Sequence, residues 1–211
     1  ELTFQVLSEF IQLSNRVVEG QHIELSWVAN NTWTLTEQDY WQMCVQKTAW
    51  YTCITPCRLG ALIGGAVASE LDVFIEIGMD LGVAFQIQDD VLNLIGEEHV
   101  YGKEIGGDIE EGKRTLILIH LFEACSEAEQ EKLTRIMDKP RGEKTADDIQ
   151  DVLELAKLYG SIAYAQQRAK SLADKAHQVF QHRFAHLKDP AAREAKSVFS
   201  NLIHFIIDRK H

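Results

Sequence analysis

The stretch from Leu81 to Ile95 reads LGVAFQIQDDVLNLI and combines a long apolar run with two adjacent aspartates. Four polar side chains in it recur at intervals of three and four residues, which places them on one face of a helix. They are Gln86, Asp89, Asp90 and Asn93. The other positions are mostly apolar, so the stretch predicts a largely buried α-helix.

The two carboxylates of Asp89 and Asp90 are costly on such a helix unless a positive charge neutralises them. Magnesium suits this position because it binds one or two carboxylates, keeps several waters and completes its octahedron with phosphate oxygens. A solvent-facing polar stripe is the alternative interpretation, since charged helix faces are common. The helix by itself leaves both interpretations open.

The rest of the chain shows helical periodicity, and no strand-type alternation of useful length is present in the sequence. The predicted helices cover residues 2–18, a long helix that begins near Thr34 or Thr36 and kinks at Pro56, and residues 70–95, 115–125, 146–182 and 190–208. The fold class is therefore predicted to be all-α.

A glycine-rich and charged segment, from Gly96 to Gly112, follows the aspartate helix and predicts a loop. Glycines allow a backbone to fold closely over a ligand, and Lys103 and Lys113 are mobile charges suited to phosphate. The spacing of a Walker phosphate loop is absent. For this segment alone, a charged surface loop is the alternative interpretation.

The composition excludes some classes of function. The chain has 211 residues and a formal net charge of −11, which argues against nucleic-acid binding because phosphate backbones select basic surfaces. The sequence has no run of about 20 apolar residues, so no membrane span is expected. Its four cysteines lack the paired spacing of a zinc site, which favours free thiols in a cytoplasmic protein.

A second aspartate group, formed by Asp147, Asp148 and Asp151, spells the metal-binding pattern DDxxD literally. Thr145 precedes this group as a candidate N-cap with Asp148 three residues later, and acidic residues in a first helical turn complement the helix dipole. The sequence therefore predicts a helix cap here and not a metal site.

Several motifs, taken in order, resemble those of the trans-isoprenyl diphosphate synthases, the polyprenyl synthetase family, and in particular its geranylgeranyl diphosphate synthases. Residues 85–90 (FQIQDD), Gly102-Lys103 and residues 107–113 (GDIEEGK) are similar to the family's second aspartate-rich region. Residues 20–25 (GQHIEL) resemble its GQxxDL segment, and Lys47-Thr48 resembles its KT pair. Motifs that agree in both order and distance are more specific than any single one.

The resemblance implies an isoprenoid synthase-type helical bundle around a central cavity, with residues 1–211 as the carboxyl-terminal part of a single domain whose amino-terminal helices are missing. It implies Mg²⁺ bound by Asp89, Asp90 and Asn93. The residues implied to contact the allylic diphosphate are Lys47, Thr48, Gln86, Lys103 and Lys113, and those implied to act in catalysis are Asp89, Asp90, Lys47 and Lys103. Phe85 either faces the apolar tunnel or packs in the core.

The activity implied by the resemblance is a prenyltransferase reaction that condenses an allylic diphosphate with isopentenyl diphosphate, in a cytoplasmic homodimer. Two departures from the family pattern are Asn93 and Glu24, which stand where aspartate is usual. The family's first DDxxD motif is expected upstream of residue 1.

Two alternatives to this function stay open. One is a terpene cyclase, whose metal motif is loosely matched by Asp89, Asp90, Asn93 and Glu97. The other is a catalytically silent subunit of a hetero-oligomeric synthase, for which the absence of the first motif would be the signature.

Overall fold

The structure is a computed structural model and describes residues 1–96 and 105–208. These residues form helices and no β-strand, which confirms the predicted all-α class. The α-helices are α1 (Leu2–Ala29), α2 (Glu37–Cys44), α3 (Thr55–Ile63), α4 (Val73–Ile95), α5 (Gly107–Glu110), α6 (Leu116–Ala124), α7 (Glu127–Met137), α8 (Ala146–Leu158), α9 (Ser161–Arg183) and α10 (Pro190–Asp208). A π-helix, Val45–Ile54, lies between α2 and α3.

Capping boxes fix where several helices begin. At α2, Asp39 Oδ2 accepts a hydrogen bond from the Thr36 N–H at 2.8 Å, and Thr36 Oγ1 accepts one from the Asp39 N–H at 3.3 Å. The helix thus uses the second of its two predicted start sites. Ser126 and Glu129 form the same box at α7, a helix that the periodicity did not predict.

The predicted helical pattern over residues 146–182 is divided into α8 and α9 at Gly160. Its φ of +66° is incompatible with helix continuation and favours glycine, so the chain turns there. The predicted loop after α4 likewise contains one helical turn, α5.

Near Pro56, where the sequence predicts a kink, the helix type changes. The Thr55 N–H donates to the Trp50 carbonyl, five residues earlier, as in a π-helix. Pro56 then occupies the first turn of α3, where its missing N–H removes no hydrogen bond that the helix needs. The helical path therefore continues through the proline.

The described chain divides into two compact units. The first comprises residues 1–21, 42–86 and 169–208. Its buried core residues come from the π-helix, α4, α9 and α10, namely Cys53, Ile77, Leu81, Ala84, Ala173, Ala176, Phe180 and Ile203. A buried ion pair in this unit joins Arg58 to Glu9 through two hydrogen bonds of 2.7 Å.

The second unit comprises residues 22–41 and 87–168. Its fully buried side chains include Ile109, Leu116, Ile117, Leu118, Leu121, Leu133 and Val152. Arg114, whose side chain is 1% exposed, donates to Asp138 Oδ1 at 3.0 Å and to the Thr32 carbonyl at 3.1 Å. Its guanidinium also lies over the Trp33 ring, 4.1 Å from the ring centroid, so it ties three segments of this unit together.

The four cysteines are free thiols, as predicted, and Cys57 is the most accessible of them. Burial, reinforced by the neighbouring Cys57, raises the pKa of Cys53 to about 12, and burial raises that of Cys57 to about 11. Both thiols are therefore unreactive at neutral pH. Across residues 1–96 and 105–208, no helix is both long and apolar enough to cross a membrane.

Candidate active site

The two adjacent aspartates of α4 have different surroundings. Asp90 is 5% exposed, and its Oδ2 accepts a hydrogen bond of 2.7 Å from the hydroxyl of Tyr40, which is itself 1% exposed. Asp89 is partly exposed. A buried tyrosine hydroxyl therefore fixes one carboxylate of the pair, while the other keeps access to solvent or a ligand.

Asn93, one turn after Asp89 and Asp90, anchors the segment that follows α4. Its Oδ1 accepts a hydrogen bond of 3.0 Å from the Asp108 N–H, and its backbone carbonyl accepts one of 2.7 Å from the Gly106 N–H. The amide oxygen predicted to ligate a metal thus already holds the backbone of α5. Metal binding by Asn93 stays a prediction.

Lys113 follows α5 and is paired with two carboxylates. Its Nζ lies 2.7 Å from Asp108 Oδ1 and 2.9 Å from Glu111 Oε2. Burial opposes the charged form of Lys113, but the charge and hydrogen bond of Asp108, with those of Glu111, outweigh burial and raise the pKa of the lysine. The residue is therefore an ammonium at any physiological pH.

Negative charge is concentrated around α5. Burial raises the pKa of Asp108, the charges of Asp89 and Glu111 raise it further, and Lys113 opposes this rise. Crowded carboxylates favour a bound cation, and the carboxylate and amide oxygens of Asp89, Asp90 and Asn93 are the hard donors that magnesium prefers. The donor set therefore fits Mg²⁺.

A complete metal cage is absent from the described part of the chain. Residues 1–96 and 105–208 contain no group of three or more histidine, cysteine, aspartate or glutamate side chains arranged to hold a metal ion. Magnesium does not need such a cage, because one or two carboxylates suffice when waters and phosphate oxygens supply the remaining ligands.

The predicted phosphate-contacting residues Lys47 and Thr48 lie in the π-helix of the first unit. Thr48, 5% exposed, donates through Oγ1 to Gln86 Oε1 at 2.7 Å, which joins two predicted substrate contacts. Gly20, from the GQHIEL segment, packs directly on Lys47: a Cβ at Gly20 would lie 2.3 Å from Lys47 N. Irregular π-helical turns recur at functional sites, and this one positions Lys47 and Thr48.

The structure brings the predicted residues together in two groups. Thr48 contacts Gln86 in the first unit. Asn93 and Lys113 are linked through Asp108 in the second. The predicted convergence of Lys47 on the aspartates joins residues of different units and stays a prediction, as does the central cavity. Lys103 and Glu97 lie outside the described residues.

Sequence reasoning missed two residues of this site, Tyr40 and Asp108. Tyr40 lies seven residues before Lys47. A tyrosine inside a buried helical pattern needs a hydrogen-bond partner for its hydroxyl, and this requirement could have indicated a polar contact. Asp108 stands inside the GDIEEGK segment, but nothing in the sequence indicates that its backbone and side chain both bind Lys113.

An open groove of about 790 Å³ occurs elsewhere in the second unit. Its lining includes Phe122, Gln130, Thr134 and Arg135, and neither Asp89 nor Asp90 contributes to it. The groove also contains Lys139 and four carboxylates, but no described group of three or more carboxylate, histidine or cysteine side chains there is arranged to hold a metal ion. We place the candidate site at the adjacent aspartates of α4, one of which Tyr40 holds in place.

Comparison with known proteins identifies relatives over the whole chain. Residues 2–156 match the family model described as polyprenyl synthetase. A short chain isoprenyl diphosphate synthase of Methanothermobacter thermautotrophicus is 28% identical over 211 residues, covering 100% of this chain and 61% of the relative. A geranylgeranyl diphosphate synthase of Saccharolobus solfataricus is 33% identical over 174 residues, covering 82% of this chain and 50% of the relative.

Solved structures of similar proteins also match this chain. A geranylgeranyl pyrophosphate synthetase from Pyrococcus horikoshii has a TM-score of 0.79 at 32% identity, covering 99% of this chain and 60% of that protein. A geranylgeranyl pyrophosphate synthase from Corynebacterium glutamicum, complexed with isoprenyl diphosphate and magnesium, has a TM-score of 0.86 at 24% identity and shares the fold. The chain spans about half to three fifths of the length of these relatives.

Proposed function

The chain belongs to the polyprenyl synthetase family, and from this premise we propose that it supplies part of the active site of an isoprenyl diphosphate synthase of geranylgeranyl type. The reaction condenses an allylic diphosphate with isopentenyl diphosphate. The observation that carries the proposal is the pairing in α4 of a partly exposed carboxylate, Asp89, with a buried one, Asp90, that Tyr40 holds in place.

We propose Mg²⁺ as the cofactor, held by Asp89 and Asp90 with Asn93 at the edge of the site. When bound, it would neutralise the diphosphate that leaves the allylic substrate. Hard oxygen donors and the crowded negative charge around Asp108 support this assignment. Relatives support it as well, since one neighbouring structure contains magnesium with isoprenyl diphosphate.

The lysines would bind the same diphosphate. Lys47, from the π-helix, and Lys103 and Lys113, from the segment after α4, can donate charge-assisted hydrogen bonds to phosphate oxygens. Thr48 and Gln86 would also contact the allylic diphosphate, and their hydroxyl and amide are already joined by a hydrogen bond of 2.7 Å. Hydrogen-bond donors that are held in place before the reaction stabilise the negative charge that develops as the diphosphate departs.

Phe85 has two possible roles in this proposal. It is partly exposed, one turn before Asp89, so its ring could stabilise an allylic cation or could pack against neighbouring side chains. Replacing Phe85 with leucine separates these roles, because a packing role predicts lower stability with little change in the rate per folded molecule.

The direct test is an assay of the complete enzyme to which this chain contributes, with labelled isopentenyl diphosphate, allylic diphosphates of different lengths and Mg²⁺. We expect label in a longer prenyl diphosphate. A hydrocarbon product formed without consumption of isopentenyl diphosphate would contradict the proposal and favour a cyclase. Turnover only after another subunit is added would favour the silent-partner alternative.

We also propose that the protein is a cytoplasmic homodimer packed through helices. Apolar side chains along α1 support this: Phe4, Ile11 and Val18 repeat at seven-residue intervals and are 79%, 63% and 68% exposed. In the Ala61–Val67 stretch, Ile63 and Val67 are also exposed. A monomeric mass in light scattering at micromolar concentration would contradict the dimer.

A further inference from the structure

Asp108 connects Lys113 to the aspartate helix α4 through three hydrogen bonds. Its N–H donates to Asn93 Oδ1 at 3.0 Å. Its carbonyl accepts from the Lys113 N–H at 3.0 Å, and its Oδ1 accepts from Lys113 Nζ at 2.7 Å. One residue thus holds both the backbone and the ammonium group of Lys113.

The environment makes this arrangement rigid. Asp108 is 8% exposed, and its neighbour Ile109 is fully buried. The Lys113 side chain is 29% exposed, so it is mostly covered and still reaches the surface. A free lysine loses rotamer freedom when it binds a phosphate, and a lysine that is already held loses less.

We propose that Asp108 is a positioning residue for the diphosphate, because it keeps the Lys113 ammonium in register with Asp89 and Asp90. The inference rests on the proposed function, in which Lys113 contacts the diphosphate. Asp108 itself need not touch the substrate. Asn93 contributes by accepting the Asp108 N–H, a task that an uncharged amide performs as well as a carboxylate.

A pure charge effect of Asp108 and a positioning role predict opposite changes in pyrophosphate affinity. A carboxylate near a bound anion repels it, so removing the charge of Asp108 should tighten pyrophosphate binding if charge alone matters. A positioning role predicts the opposite: the variant binds pyrophosphate more weakly, because the Lys113 ammonium keeps only Glu111, at 2.9 Å, as its carboxylate partner and is held less firmly in place.

The test is isothermal titration of the 211-residue chain with inorganic pyrophosphate in the presence of Mg²⁺. The variants are Asp108→Asn, Lys113→Met and the double variant. We expect Lys113→Met to weaken binding at least about tenfold and Asp108→Asn about three- to tenfold, as for a lost or misplaced charge-assisted hydrogen bond. The double variant should bind no more weakly than Lys113→Met alone.

The matched control is Asp148→Asn. Asp148 also accepts a lysine ammonium, that of Lys139 at 2.7 and 2.8 Å, but at the start of α8. We expect this variant to bind pyrophosphate like the unmodified chain. If Asp108→Asn proves too unstable to titrate, Asp108→Glu keeps the charge, displaces the lysine and should give a smaller loss that again disappears without Lys113.

Different results would contradict the positioning role of Asp108 and the contact of Lys113 with the diphosphate. Unchanged or tighter binding by Asp108→Asn, or a loss that adds fully to that of Lys113→Met, overturns the positioning role. An unaltered affinity in Lys113→Met instead overturns the assignment of Lys113 to the diphosphate, which belongs to the proposed function.

Discussion

The aspartates of α4 and those at the start of α8 have similar sequence patterns but different surroundings. In α4, Asp90 is buried and accepts the Tyr40 hydroxyl. At the start of α8, Asp148 accepts the N–H and hydroxyl of Thr145 and also binds Lys139. Asp151 is paired with Lys132, and both side chains are more than 40% exposed, at 43% and 44%.

The surroundings of an aspartate group decide what it does. The literal DDxxD of α8 lies at a helix N-terminus, where backbone N–H groups and lysines already compensate the carboxylates. The incomplete pattern of α4 lies inside a helix, next to further carboxylates. We therefore expect the α4 aspartates, and not those of α8, to bind a metal ion.

The largest expected effect comes from removing one aspartate from each group. In the complete enzyme, Asp89→Ala should lower the condensation rate by at least about 100-fold, because a direct metal ligand matters at least as much as the residues that orient it. Asp147→Ala should leave the rate within about twofold. Steady-state assays at saturating Mg²⁺, with circular dichroism as a check of folding, measure both. Equal losses would show that the site belongs to the other group or to neither.

A smaller difference is expected when the hydroxyl that hydrogen-bonds to each aspartate group is removed. Tyr40→Phe should raise the Mg²⁺ concentration needed for half-maximal activity by about tenfold, since outer-sphere partners contribute 10- to 100-fold to metal affinity. It should also lower the free energy of unfolding by about 1–3 kcal/mol, because Asp90 loses a buried partner. Thr145→Val is the matched variant.

For Thr145→Val we expect an unchanged Mg²⁺ requirement and a lower melting temperature. An equal shift of the Mg²⁺ requirement in the two variants would contradict the expectation that only the α4 aspartates bind Mg²⁺.

The smallest effect concerns acid stability. The hydrogen bond from Lys139, followed by that from the Thr145 N–H, lowers the pKa of Asp148 from 3.8 to about 2. Because the folded-state pKa is the lower one, this stabilisation is complete above about pH 4 and disappears as the pH falls to about 2. Asp148→Asn should therefore flatten the fall in melting temperature between pH 4 and pH 2, most clearly at low salt. An identical pH profile in the variant would contradict the assignment.

The sequence predicts most helices because their signals are local. The capping pairs Thr36–Asp39 and Thr145–Asp148 and the apolar run of α6 each depend on a few neighbouring residues. The break at Gly160 was missed because a glycine within a helical pattern usually costs stability without ending the helix.

The site was predicted less completely because its contacts are distant in sequence. Tyr40 meets Asp90 across 50 residues, and Asp108 meets Asn93 across 15. Periodicity cannot reveal such pairs, since it reports which face a residue occupies and not what lies opposite. The sequence pattern indicated Asp89, Asp90 and Lys113, and the family resemblance gave them roles, but neither indicated the residues that hold them.

The π-helix that carries Lys47 also has a consequence for protein engineering. Replacing helical glycines with alanine is a standard route to thermostability and gains about 1 kcal/mol each. Here a Cβ at Gly20, Gly78 or Gly82 would lie only 2.3–2.5 Å from the atoms of Lys47, Ile54 or Ala49. Alanine at these positions would push the π-helix out of place and cost about 1–3 kcal/mol. Gly60 of α3, with no atom within 4 Å of its added Cβ, is a position where the routine substitution fits.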